Sequence, residues 1–248
     1  MKKTKSLQIL NSFDLKLLAI IFMLCDHIWA TLITGNQWLT DIGRMAFPIF
    51  AFQIAEGFFH TKNFKKYLGR MFLFALISEV PFNLMYSGRT FFPFHQNVMF
   101  TFCLALLFIR FMEWGKKKNI FVWFVTIAIS CICDYMLGMI SMVDYFGYGI
   151  LTVFLFYIFH DFKFAWLGQL IGMIIINGYM MAGLTYPINI FGFSFDFPQQ
   201  AFAVFALIPI WLYNGKQGPH SKPIQYSYYA FYPVHMIIIH IIRKFIVL

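Results

Sequence analysis

Apolar stretches of about membrane width alternate along the chain with short polar breaks. Nine can be marked: Phe13 to Thr34, Ile42 to Phe59, Tyr67 to Tyr86, Asn97 to Met112, Ile120 to Leu137, Tyr145 to Phe159, Phe164 to Ala182, Gln199 to Tyr213 and Tyr226 to Ile246. A helix needs ~20 mostly apolar residues to cross the hydrocarbon layer, and in lipid only helices or closed barrels keep their backbone groups paired. Barrel strands would show shorter segments of period two, and none stands out. The pattern predicts an all-α fold, a polytopic transmembrane helix bundle of about nine spans, read as a single domain over residues 1–248. The break from Gly183 to Pro198, aromatic and rich in Gly and Pro, reads as a packed external loop.

Charge adds orientation to this picture. Lys2, Lys3 and Lys5 precede the first run; Lys62, Lys65 and Lys66 follow the second; Lys116, Lys117 and Lys118 follow the fourth; Lys163 follows the sixth; Lys216 and Lys222 follow the eighth. Arg89, Arg243 and Lys244 are the exceptions to this alternation. By the positive-inside rule the N-terminus is cytoplasmic, and the chain is a multi-pass protein of the cell (inner, cytoplasmic) membrane. The first run has no small-residue cleavage site behind it and reads as a retained helix rather than a signal peptide.

Composition excludes a soluble globular domain. Hydrophobic residues make up 60% of the chain and charged ones 12%, against about a quarter charged in soluble domains. The net charge of +9 sits in short groups between apolar runs, so it is read as topology and no nucleic-acid partner is expected. Cys25, Cys103, Cys131 and Cys133 lie inside apolar runs and read as small buried side chains, with no metal site expected.

Ionisable residues inside the runs carry the chemistry, because a charge in the bilayer is costly unless it faces a protein interior or a wet cavity. On the first run, Lys16 and His27 are eleven residues apart, about three turns and ~16 Å of rise, so they share nearly one face at different depths. His27 can move protons near neutral pH, and a carboxylate such as Asp26 or one from another run can support its cationic form. On the second run Arg44 precedes Pro48, which is expected to kink the helix, and Gln53, Glu56 and His60 form a polar stripe expected to face inward. Lys65, Lys66 and Arg70 could bind phosphates. Glu79 and Asn83 bracket Pro81; Asp134 and Asp144 flank the break after the fifth run; His235 lies in the last run. These residues also read as interfacial anchors, topology signals and packing groups.

Taken together, several motifs resemble the TraX family, named for an inner-membrane protein that acetylates conjugative pilin. They are Phe-Asp-Leu-Lys through Cys-Asp-His at 13–27, Gly-Arg-Met-Ala-Phe-Pro-Ile-Phe-Ala-Phe at 43–52, Glu-Gly-Phe at 56–58, His-Thr-Lys-Asn at 60–63, Lys-Lys-Tyr-Leu-Gly-Arg at 65–70, Pro-Phe-Asn at 81–83, Asn-Val-Met-Phe-Thr at 97–101, Asp144 with Tyr148-Gly149, Tyr213-Asn214-Gly215, and Tyr229 to His235. The chain is also distantly similar to transmembrane acyltransferases that modify extracytoplasmic sugars. In that class a basic residue is followed eleven positions later by a histidine on the first helix, as Lys16 is by His27. Its Arg-x-x-Arg pair has Lys66 and Arg70 as counterparts here, at a different spacing.

The resemblance implies an acyltransferase that moves an acetyl group from acetyl-CoA, the donor substrate, to an extracytoplasmic acceptor. A peptide or protein amine and a glycan hydroxyl both stay open. Catalytic residues would be His27, Asp26, Arg44 and Glu56: His27 as general base aided by Asp26 or Glu56, and Arg44 at the oxyanion or acceptor. Lys16, Lys65, Lys66 and Arg70 would hold the donor. Glu79, Asn83, Asn97, Asp144 and His235 are substrate-binding or structural polar positions. Transfer through an acetyl-histidine and direct transfer are not separated by sequence. The rival readings are a proton-coupled small-solute transporter and a structural scaffold.

Overall fold

The computed structural model describes residues 8–181 and 183–246. Ten α-helices are present among them: α1 (Ser12–Thr31), α2 (Gln37–Gly43), α3 (Ala46–His60), α4 (Phe64–Ser87), α5 (Val98–Lys118), α6 (Ile120–Ile140), α7 (Phe146–Ile158), α8 (Ala165–Met173), α9 (Leu207–Trp211) and α10 (Lys222–Ile246). A π-helical segment, Ile174–Met180, continues α8, and a 3-10 segment, Gln199–Ala206, leads into α9. Every one of the nine apolar runs falls on helical structure, although Ala182 lies outside the described residues. Three helices, α4, α5 and α6, are both long and apolar enough to cross a membrane.

The predicted loop from Gly183 to Pro198 instead contains a hairpin. Strands β1 (Thr185–Ile190) and β2 (Phe193–Pro198) pair antiparallel, with Ile190 opposite Phe193. The two-residue turn has positive φ at Phe191 (52°) and Gly192 (86°), the backbone that matches the twist of a tight hairpin. Alternating β-branched and aromatic residues here follow a strand pattern that Gly and Pro masked.

Pro48 does not kink a helix interior. It is the third residue of α3, within the first turn, where its missing N–H is an orphan donor in any case. The interior prolines are Pro81 in α4 and Pro233 in α10.

The chain divides into two compact units, Met1–Phe50 with Phe159–Ser221, and Ala51–Ile158 with Lys222–Leu248. In the first, α1 starts with a capping box: Asn11 accepts from the backbone N–H groups of Phe13 and Asp14, and the Asp14 carboxylate accepts from Asn11 N–H. The Leu10 and Ser12 N–H groups donate to the Leu212 and Lys216 carbonyls, which ties this helix start to the segment after α9. Ser12, Leu15, Ala19, Met23 and His27 are the buried residues of α1, one stripe at helical spacing.

In the second unit, α5 and α6 are joined at Asn119, whose side chain accepts from Val122 N–H and starts α6. Close approaches set the helix spacing. A Cβ on Gly115 would meet Thr126, and one on Gly57 would meet the Tyr67 ring. Phe52 and Phe156 pack edge to face (5.5 Å between centroids), and Phe59 stacks on Tyr157 (5.5 Å).

Candidate functional site

The first unit assembles a largely buried polar centre around Arg44. This residue caps the C-terminal end of α2, which packs on α1 because Gly43 lets the backbone sit against Asp26: a Cβ there would lie 2.5 Å from the Asp26 Cβ. Arg44 Nη2 donates to Asp26 Oδ1 and to Thr40 Oγ1 (2.8 Å), while Thr40 Oγ1 donates to the same carboxylate oxygen (2.8 Å). Its Nη1 donates to Gln200 Oε1 at 3.3 Å. Gln200 in turn donates to Asn177 Oδ1 (3.0 Å). The side chains of Arg44 and Asp26 are 19% and 14% exposed, so the pair is largely desolvated and its hydrogen bonds carry the compensation for lost water.

His27 follows Asp26 directly and is buried at 8% exposure. Asp26 is engaged by Arg44 and Thr40, and adjacent helical side chains point ~100° apart. Lys16, three turns earlier, is half-buried. A second polar group in this unit pins the hairpin. Tyr186 Oη and Gln199 Nε2 both donate to Asp41 Oδ1 on α2, at 2.7 and 3.0 Å.

The other sequence-predicted residues belong to the second unit. Glu56 is buried and lies 3.7 Å from His60 Nδ1, one turn on. The expected inward stripe breaks at His60, whose side chain is 66% exposed. Lys65 and Lys66 are exposed in the first turn of α4, which is capped by Asn63, and half-buried Arg70 hydrogen-bonds Tyr229. His235 is buried and its Nδ1 is 2.7 Å from the Phe231 carbonyl oxygen. Asn83 is buried, with its side-chain oxygen unpartnered among the described residues.

Asn97 has several partners at once. Its Oδ1 accepts from Met99 N–H at the start of α5, and its Nδ2 donates to Glu79 Oε2 (2.6 Å) and to the Ala75 carbonyl (2.9 Å). Asn97→Ala removes a helix cap and strips a partner from Glu79, and roughly 2–4 kcal/mol of stability should be lost. Thermal unfolding of the purified variant measures this.

Sequence reasoning passed over His95. In the structure it lies 3.4 Å from Asp144 Oδ1 and edge-on to the Phe82 ring. Asp144 is held in place by its backbone: its N–H donates to the Gln96 carbonyl, and its carbonyl accepts from Thr101 Oγ1 (2.7 Å). Three non-glycine residues around it, Met142, Tyr145 and Phe146, have φ of 49°, 61° and 47°, a local strain of the kind that marks functional loops. Burial pulls the His95 imidazole toward neutrality, but the hydrogen bond and charge of Asp144, with Glu79 adding, carry it above its ordinary value. A raised folded value means a stabilising contribution fully present below the unfolded value of ~6.5 and lost as pH rises through the folded one. Hydrogen exchange in residues 88–97 should therefore speed up as pH climbs above neutrality, beyond the intrinsic rise, and His95→Gln should remove that excess.

Gln199, Gln200 and Asn177 were also passed over. All are buried amides inside or at the edge of apolar runs, and the same oddity that marked Asp26 could have found them. Asn177 sits in the π-helical segment, a geometry frequent at functional sites. Among the described residues no three His, Cys, Asp or Glu gather as a metal-holding group.

Long apolar helices and charged residues buried within the helical units define an α-helical membrane protein with a desolvated arginine–carboxylate centre. The family model described as TraX protein matches residues 12–243, and the chain belongs to that family. It is 28% identical over 242 residues, 91% of this chain and 93% of the relative, to the "Probable fimbrial assembly protein FimC, serogroup H1" of Dichelobacter nodosus. No solved structure matches.

Proposed function

We propose that the chain is a membrane-embedded acyltransferase that moves an acetyl group from acetyl-CoA to an amine or hydroxyl acceptor on the outer side of the cell membrane. The observation that carries this reading is Arg44, held in a half-buried position by Asp26, Thr40 and Gln200, beside the helix that bears His27. A guanidinium fixed before the reaction costs no reorganisation when an oxyanion develops, which is where electrostatic catalysis gains most.

In this scheme His27 takes the proton from the acceptor N–H or O–H as the acceptor atom attacks the thioester carbonyl. Arg44 faces the negative charge that forms on the carbonyl oxygen. The C–S bond then breaks, and the CoA thiolate leaves with the proton returned by the imidazolium. Asp26 orients Arg44, and Lys16 supplies positive charge three turns away on the same helix. In the second unit, taken by itself, Lys65, Lys66 and Arg70 are the candidate phosphate-binding groups at the start of α4, where backbone N–H groups of the first turn also favour anions. Membership in TraX supports acyl transfer, and the fimbrial name of the relative makes a pilus subunit a natural acceptor to try first.

The test uses purified protein, labelled acetyl-CoA and a short peptide with a free N-terminus. His27→Ala is expected to lower transfer by the 10²–10⁴-fold typical of a lost general base. Undiminished transfer by the folded variant would sink the role of His27.

A further inference from the structure

The most apolar of the three long helices, α6, with mean hydropathy 2.1, hides a polar stripe. Its buried residues are Trp123, Thr126, Ser130, Asp134 and Gly138, spaced at three and four along one face. Thr126 Oγ1 donates to the carbonyl of its own helix at Trp123 (2.8 Å). Ser130 and Asp134 are 0% exposed, and neither the Ser130 hydroxyl nor either Asp134 carboxylate oxygen has a hydrogen-bond partner among the described residues.

Among the described residues no cation pairs with Asp134 on this face. The contact of Gly115 with Thr126 fixes the antiparallel alignment of α5, which puts Leu107 level with Asp134. Arg110 of α5, three residues from Leu107, is exposed and sets its guanidinium over the Phe64 ring (5.7 Å to the centroid), while Glu113, Lys116, Lys117 and Lys118 lie toward the other end. From α7, the backbone of Gly147 abuts Asp134, where a Cβ would sit 3.4 and 3.5 Å from the two carboxylate oxygens, and the next residue is Tyr148. Asp144, just before α7, is turned to His95. On α6 itself the other titratable neighbours are Cys131, Cys133 and Tyr135, the last of them exposed. An ionised carboxylate this isolated is among the costliest groups to bury, and such a group neutralises instead. An alkali cation would need a shell of oxygens that one carboxylate and one hydroxyl do not make.

We propose that Asp134 is a proton-binding site inside the membrane. The carboxyl takes a proton from the aqueous phase to form an O–H bond and holds it at neutral pH. Ser130, one turn earlier, is the neighbouring polar side chain of the stripe, with no hydrogen bond joining the two in this structure. Nothing in this proposal depends on acyl transfer, so it stands or falls separately from the reading of His27 and Arg44.

Infrared spectroscopy of the full chain in phosphatidylcholine liposomes tests it. Wild type should show the carbonyl stretch of a protonated carboxylic acid at neutral pH, and Asp134→Asn should lose that band. Spectra of wild type and Asp134→Asn that coincide in that region would overturn the proposal. If Asp134→Asn does not fold, dicyclohexylcarbodiimide, which reacts with protonated buried carboxyls, is applied to the unaltered protein. Peptide mass spectrometry should then find the adduct on Asp134, and an unmodified Asp134 would overturn the proposal equally.

Discussion

Replacing Arg44 by methionine is expected to cost about 3–5 kcal/mol of stability, because it leaves the Asp26 carboxylate desolvated without its cation. Thr40 still donates to that carboxylate, and Gln200 loses the Arg44 donor to its side-chain oxygen. The double variant Asp26→Leu with Arg44→Met removes both charges and should recover most of the loss, since a buried ion pair is often replaceable by apolar residues of similar volume. Acyl transfer separates the two roles of Arg44. If the guanidinium stabilises the reacting oxyanion, the double variant unfolds like wild type yet transfers 10²–10³-fold more slowly, the range seen when one such donor is lost. Restored transfer with restored stability would make Arg44 a structural group only. Unfolding curves and labelled transfer on the same preparations decide between them.

Gly138→Val is expected to produce the second large effect, with stability falling by about 3 kcal/mol, the upper end of ordinary overpacking costs. A Cβ at this position would lie 2.3 Å from the Gly147 nitrogen and 2.6 Å from its Cα. Those are backbone atoms, so no side-chain rotation relieves the clash and α6 must move off α7. Separation would also open the buried face around Asp134. Alkylation of Cys131 and Cys133, both half-buried on α6, should speed up in the variant. Gly69→Ala is the control. Nothing lies within 4 Å of its added Cβ, and an exposed helical glycine gains about 0.5–1 kcal/mol on becoming alanine.

Several features of this protein could be read before any tertiary contact was known. Apolar runs between lysine-bearing breaks marked nine stretches that all fall on helix, because backbone satisfaction in lipid leaves a long apolar segment few other conformations. The order of motifs from Phe13 to His235 was enough to suggest TraX, and the match over residues 12–243 agrees. Asp26 and Arg44 were singled out because a charge inside an apolar run is anomalous wherever the chain goes. Their pairing was a different matter: eighteen residues separate them, and only the packing of α2 on α1 at Gly43 brings the guanidinium to the carboxylate.

Elsewhere the local pattern was outweighed. Pro48 looked like a kink until the helix start at Ala46 put it in the first turn, where proline costs nothing. His60 continued a polar stripe by spacing, yet the end of α3 leaves it exposed, because periodicity fixes a face but not how far the partner helix extends. The hairpin at 185–198 was hidden by the Gly and Pro that form its edges. His95 drew no notice in a polar break, where a histidine costs nothing, and became a candidate only when Asp144, forty-nine residues away, closed on it.

The sequence by itself determined the solvent and the class of element: apolar length dictates helices in a bilayer, and misplaced charges name the residues that need partners. Which charge meets which was decided by tertiary structure alone, because an ion pair or a buried unpaired carboxyl depends on the level and rotation of neighbouring helices. The glycines at 43, 115, 138 and 147 set those levels through backbone contacts that no one-dimensional pattern encodes.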